Sequence, residues 1–252
     1  MIELKTAEEI ERMRKAGRVV GGLLAFLAGR LAPGMKTKEL DDAAVGFLRS
    51  SGAEPAFLGY RGFPATVCVS VNEEVVHGIP GERRIQDGDV VSIDAGAKIE
   101  GFYADAAITV GVGSLTADAT RLIDVTKRSL DRAIALTTAR HRVSDISCAV
   151  QETVEQAGFS VVRDFVGHGI GRAMHEDPPI PNYGPPHRGP RLQPGMVLAI
   201  EPMVTMGGGV VEVLADGWTA VTTDRSWAAH FEHTVAITDD GPEILTRVPE
   251  AL

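Results

Sequence analysis

The stretch D-G-D-V-V-S-I-D (residues 87–94) has a counterpart in P-G-M-V-L-A-I-E (residues 194–201). The offset is 107 residues, and it places Gly88 on Gly195 and Asp94 on Glu201. The same offset places Thr37 on Ser144, each at the start of a helical pattern. Matches in turn punctuation and in strand acids predict one plan used twice. The copies run from about residue 6 to 112 and from 113 to 245, within a single domain spanning 1–252. Each copy reads helix, helix, strands, which makes the fold class α+β.

The rest of the chain fills in this plan. Thr6 and Glu9 have capping-box spacing and open a helix from Ala7 to about Gly29, ended by Pro33-Gly34. A second helix starts at Thr37 and closes at Gly52, and the later copy predicts helices from about Thr116 to Leu136 and from Ser144 to near Gly158. Strand patterns cover Thr66–Val71, Val90–Ala97 and Phe102–Val110. In the second copy they cover Val161–Val166, Met196–Val204, Val210–Leu214 and His230–Ile237.

Period-two alternation sets Val90, Ser92 and Asp94 on one strand face, and Val197, Ala199 and Glu201 on the matching one. Both acids interrupt apolar strands, and a buried unpaired carboxylate is costly. Hairpin symmetry supplies each with a partner acid. Asp94 and Asp105 are symmetric about Ile99-Glu100, and Glu201 and Glu232 about the turn-forming Asp216-Gly217. Simple registers would set Asp94 directly across from Asp105, and Glu201 across from Glu232. At about 4 Å and an effective dielectric near 20, each like-charged pair costs roughly 4 kcal/mol. No Lys or Arg alternates with these acids, so two divalent cations are the natural counter-charge for the four.

The segment F-V-G-H-G-I-G-R-A-M-H-E-D-P-P (165–179) holds His168 among glycines that let backbone approach closely. A neutral imidazole there would complete a mainly oxygen site. His175 and His77 could line the same site, and each reads equally well as a loop residue. The glycine run is a poor phosphate loop, because Pro178, Pro179 and Pro181 follow where a helix should begin. No G-x-S-x-G and no G-x-x-x-x-G-K-[ST] is present. The chemistry that remains is metal-assisted hydrolysis, in which an acidified water attacks a carbonyl or phosphoryl centre.

Composition narrows the partners. Lys and Arg number 25 against 34 Asp and Glu, a net charge of −9. That argues against nucleic acid or an anionic membrane as the main ligand. The N-terminus lacks the apolar core of a signal peptide, and no apolar run approaches the ~18 residues of a membrane span. Cys68 and Cys148 form no disulfide framework. The expected location is cytoplasmic.

V-N-E-E-V-V-H-G-I-P (71–80), S-I-D-A-G-A (92–97), G-F-Y-A-D-A (101–106), G-H-G-I-G-R-A-M-H-E-D-P (167–178), L-A-I-E-P-M (198–203) and F-E-H-T-V (231–235) resemble, as a set, the methionine aminopeptidases of type I. The likeness runs in order over nearly the whole chain. It implies the pita-bread fold, an antiparallel sheet from two pseudo-symmetric halves covered by helices. It implies two divalent ions, drawn from cobalt, manganese, iron(II) and zinc. Asp94 would hold one, His168 and Glu201 the other, and Asp105 and Glu232 both. His77 and His175 would contact the scissile peptide, with Glu201 as proton shuttle. Tyr60, Phe63, Cys68 and Trp218 would line the pocket for the methionine side chain.

The implied activity is removal of the initiator methionine from nascent polypeptides with a small second residue. The ribosome would be the meeting place and a monomer the working form. Four positions depart from the family pattern. Phe57 and Met174 stand where relatives often carry Cys and Phe, and Gly96 and Ala106 where Thr, or Thr and Ser, are common. Two other functions are compatible with the fold. One is an Xaa-Pro peptidase, a class that usually carries an extra N-terminal domain. The other is a non-catalytic protein that binds histones or RNA, a class that loses metal ligands.

Overall fold

Capping and apolar spacing build the helices of the computed structural model, which describes residues 1–247. In α1 (Ala7–Ala28) the Glu9 N–H donates to the Thr6 hydroxyl, and the Thr6 N–H to the Glu9 carboxylate. Its buried stripe includes Met13, Val20, Leu24 and Leu27. The other helices are α2 (Thr37–Ser50), α3 (Ala117–Ala135) and α4 (Val143–Gln156). The starts of α2 and α4 are matched in detail. Lys36 bridges Arg84 just before α2, and Arg142 bridges Arg191 just before α4. Gly88 and Gly195 have φ of 91° and 90°, a backbone shape that excludes most other residues at both turns.

The strands of the first half are β1 (Glu54–Pro55), β2 (Val67–Val71), β3 (Glu74–Val76), β4 (Val90–Ile99) and β5 (Phe102–Gly111). Those that follow are β6 (Ser160–Val161), β7 (Gly167–Gly169), β8 (Glu176–Ile180), β9 (Val197–Ile200) and β10 (Met203–Thr205). The last are β11 (Val211–Val213), β12 (Ala220–Thr222), β13 (Ala228–His230), β14 (Glu232–Thr238) and β15 (Gly241–Ile244). The main sheet has nine strands in the order β1-β4-β5-β14-β9-β7-β8, with β2 also on β4 and β15 also on β14. Every pairing in it is antiparallel. Two small sheets, β13-β10-β6 and β11-β12-β3, stand beside it. Each half has its own apolar core: α1 and α2 pack on β2, β4 and β5, and α3 and α4 on β9 and β14.

Two hairpins carry the acids, and they keep register differently. In β4–β5 the pairs are Gly96↔Asp105 and Asp94↔Ala107, so Asp94 is not directly opposite Asp105. The hairpin, expected to centre on Ile99-Glu100, centres instead on a two-residue turn, Glu100-Gly101, with φ of 50° and 84°. That shape is the type I′ turn, whose twist suits a hairpin. The second hairpin is a long ribbon. In β9–β14, β10–β13 and β11–β12 the paired residue numbers always add to 433, the register centred on Asp216-Gly217. The ribbon bends between sheets, so the strand expected over Met196–Val204 breaks at Glu201-Pro202, and that over His230–Ile237 at Phe231. Proline has no N–H to give to a ladder. The expected strand Val161–Val166 shrinks to Ser160–Val161. Pro178 and Pro179 lie inside β8, which tolerates them as an edge strand.

The halves meet where β5 pairs with β14, at Ala107↔Glu232 and Ala106↔His233. On either side of these two pairs a hydroxyl replaces the ladder. Thr234 Oγ1 accepts the Asp105 N–H at 3.0 Å and donates to the Asp105 carbonyl at 2.7 Å. Thr109 Oγ1 does the same for His230, at 2.9 and 2.7 Å.

Candidate active site

Side chains alternate along a strand, so the two-residue register shift leaves Asp94 and Asp105 on one face, where they meet diagonally. Glu201 follows the last residue of β9, and Glu232 is the first residue of β14. The ladder between these strands ends at Ile200↔His233, which makes Glu201 and Glu232 the next facing position. His168 is the middle residue of β7, opposite Ala199. A Cβ at Gly167 would lie 2.5 Å from the Ala199 carbonyl oxygen, and one at Gly169 would lie 2.1 Å from that of Asp177. The glycines are therefore what let β7 fit between its neighbours and present His168. All five of these residues line one cavity of about 130 Å³, and so do His77, His175, Tyr60, Phe63, Cys68 and Trp218.

The floor of the cavity concentrates negative charge. Asp94 Oδ1, Asp105 Oδ1 and Glu232 Oε1 are buried without a hydrogen-bond partner. Burial, reinforced by the neighbouring carboxylates, pushes Asp94, Glu201 and Glu232 well above the usual carboxylate range. Burial pushes Asp105 up to about 7. Such groups need a counter-charge to ionise at neutral pH. Ligand atoms of Asp105, His168 and Glu232 lie within 4.8 Å of one another. His168 Nδ1 donates to the Gly169 carbonyl at 2.9 Å, which leaves Nε2 unprotonated on the carboxylate side, 3.7 Å from Glu201 Oε1. Burial holds this imidazole neutral, with a pKa of about 4. Oxygen donors with one neutral imidazole suit a first-row divalent cation.

Away from the acids the cavity wall is apolar. Phe57, Phe63, Cys68 and Met174 are buried, and Tyr60 and Trp218 are partly buried beside them. Phe63 meets Trp218 edge-on at 5.1 Å. Residues 57 and 96 are sterically matched: a Cβ at Gly96 would come within 2.8 Å of the Phe57 ring. Phe57 thus takes the space that a threonine at 96 would need. Gly96 also faces Asp105 across the ladder and offers it no side-chain donor.

The remaining two histidines stand between the acids and the apolar wall. His77 has φ of 60° and lies edge-on to Phe165 and Trp218. Burial lowers its pKa to about 4. His175 Nδ1 lies 2.8 Å from the Tyr60 hydroxyl, and its ring is 4.1 Å from that of His168. Two neighbours of the site escape a reading of the sequence. His230 is buried, its Nε2 unpartnered and 3.8 Å from Glu201 Oε2. It lies two residues before Glu232, so strict alternation was its available signal. Arg61 lines the cavity and has no motif to announce it.

Comparison with known proteins settles the family. The model of metallopeptidase family M24 matches residues 11–239. The chain belongs to that family. It is 53% identical over 248 residues to methionine aminopeptidase 1 of Bacillus subtilis, covering 98% of this chain and 100% of that one. The solved methionine aminopeptidase of Thermotoga maritima superposes with a TM-score of 0.97 at 48% identity, over 98% of this M24 chain and 100% of its own. Prolidase from Pyrococcus furiosus superposes with a TM-score of 0.80 at 24% identity, with 66% of its length covered, and shares the fold. The architecture is the pita-bread fold, and the family is one of divalent-metal enzymes.

Proposed function

We propose that this M24 enzyme hydrolyses the first peptide bond of chains that begin with methionine and carry a small second residue. The carrying observation is the joining, in one cavity, of four carboxylates that lack a counter-charge to an apolar pocket with aromatic walls. The pocket suits an unbranched thioether, since Cys68 and Met174 add polarisable sulfur to the Phe57, Phe63 and Trp218 walls. We take the whole of 1–252 as one catalytic domain made of the two halves, working as a monomer in the cytoplasm on nascent chains.

The donor set fits two divalent ions. Asp94 would hold one, His168 and Glu201 the other, and Asp105 and Glu232 both. Manganese, iron(II), cobalt and zinc all suit these donors. When bound, the ions supply Lewis acidity that makes water nucleophilic near neutral pH. The chain's own groups do the rest. The substrate's free terminal amine would sit beside the acids that hold the ions. His175 donates to the carbonyl oxygen as negative charge develops there, and its Nδ1 is already engaged by Tyr60. His77 holds the scissile amide, and Glu201 carries the proton to the leaving amine.

The test is release of free methionine from Met-Ala-Ser, set against cleavage of an Xaa-Pro peptide, before and after chelation. Methionine release that stops with chelator and returns with added metal is expected. Hydrolysis of the Xaa-Pro peptide alone would overturn the substrate assignment, and indifference to chelator would overturn the metal centre.

A further inference from the structure

The cavity has a defined mouth. Of the residues that line it, only Arg61 and His175 are exposed. Arg61 is also the only Lys or Arg among them. A peptide whose first side chain fills the apolar pocket, and whose scissile carbonyl meets His175, must leave past Arg61. This step rests on the methionine-removal reading above.

Arg61 is held in place. Its φ is 49°, in the left-handed region that a non-glycine residue occupies at a cost of roughly 1–2 kcal/mol. Gly59 and Gly62 on either side have φ of 80° and 90°. Hydrogen bonds close the loop from Gly59 N to Phe63 O at 2.8 Å and from Phe63 N to Tyr60 O at 2.9 Å. Arg61 therefore sits at the tip of a tied turn. Its guanidinium carbon is 5.4 Å from the centre of the Tyr60 ring, which stacks on His175 at 5.3 Å. Guanidinium, phenol and imidazole form one layered row at the opening. Among the described residues no carboxylate pairs with Arg61 within 4.0 Å. A backbone outlier at the rim, carrying an unpaired charge, marks a position shaped for recognition.

We propose that Arg61 is a specificity residue that favours substrates bearing a carboxylate just beyond their second residue. The whole protein carries −9, so an acidic peptide gains nothing from the general field. A lone cation at the exit offers such a peptide a local partner. The shared chemistry is a carboxylate, from an Asp or Glu side chain or from the end of a short peptide.

The experiment compares kcat/KM of the metal-loaded enzyme on Met-Ala-Asp-Ser, Met-Ala-Asn-Ser and Met-Ala-Lys-Ser, each as the C-terminal amide. Met-Ala-Ser with a free and with an amidated end separates the two carboxylate sources. At low salt the Asp peptide is expected to exceed the Lys peptide by about three- to fivefold, as befits an exposed charge pair. The ratio should fall with added salt, approach one in Arg61→Ala, and invert in Arg61→Glu. A preference confined to the free-ended Met-Ala-Ser would overturn the side-chain assignment. An Asp-to-Lys ratio near one in the wild type without a preference for the free-ended Met-Ala-Ser, or a ratio that survives Arg61→Glu, would overturn the proposal. Methionine release from none of the peptides would overturn the aminopeptidase reading and this inference with it.

Discussion

The two acid-bearing hairpins reach the same end by opposite means. In β4–β5 ten consecutive pairs run without interruption from a two-residue turn, and Asp94 and Asp105 are ordinary mid-strand residues on one face. In the β9–β14 ribbon the register survives two changes of sheet, and Glu201 and Glu232 sit where the strands break. The first hairpin places its acids by regularity and the second by a bend. Regular strands fix only which face a side chain takes. A bend brings side chains from strand ends into the same space, which is how a second pair of acids closes over the first.

If both means are equally needed, Asp105→Asn and Glu232→Gln should each bring methionine release to background and weaken metal binding by calorimetry. These acids lie diagonally across the seam, one from each half. Wild-type kcat/KM in either variant would break the symmetry of roles. A second test weighs the charge that the two hairpins share. Between pH 6.5 and 8 the unfolded acids are fully ionised, whereas burial pushes Asp105 up to about 7 and Asp94, Glu201 and Glu232 well above the usual range, so the folded acids give up their protons later. The folded state then binds more protons, so metal-free protein must lose stability as pH rises, on the order of a few kcal/mol. The buried histidines oppose this in part, because their unfolded imidazoles are half protonated at pH 6.5 and neutral by pH 8, a gain of about 0.4 kcal/mol each as pH rises. Denaturant titration of apo protein at pH 6.5 and 8 checks the sign; greater stability at pH 8 would contradict it.

The seam itself gives a smaller effect. Thr234→Val strands the N–H and carbonyl of Asp105, and Thr109→Val those of His230. Each should cost about 1–3 kcal/mol, with Ser retained at either position restoring most of it. Equal losses would support matched stitches, and a silent Thr109→Val would show the seam to be lopsided. The smallest effect lies at the turns. Gly101 and Gly217 have φ of 84° and 79°. Gly→Ala at either should cost roughly 1–2 kcal/mol and leave kcat unchanged, since the ladders hold register once formed. A change in kcat at Gly101 alone would mean that its turn also aims Asp105.

The sequence and the structure agree where one local rule decides. Thr6 and Glu9 start α1, and alternation alone puts Asp94 and Glu201 on inward faces. The Asp216-Gly217 turn sets a register that holds along the whole ribbon. Agreement fails where tertiary context wins. Glu100 accepts a left-handed backbone and tightens its turn, moving the first register by two. Pro202 and Phe231 mark bends that only the neighbouring sheet explains. In β8, prolines survive because one edge of the strand is unpaired, which no residue pattern announces. His230 comes within 3.8 Å of Glu201 only through the fold, since the two are far apart in the chain.

The position of β14 has a consequence for how the molecule comes into being. This strand starts at Glu232, yet it lies at the centre of the main sheet. While the chain is being made, β5 must emerge with a bare edge and wait for more than a hundred residues before its neighbour arrives. Open edges invite pairing with other chains, so premature termination before residue 232 should yield sticky half-molecules in place of idle ones.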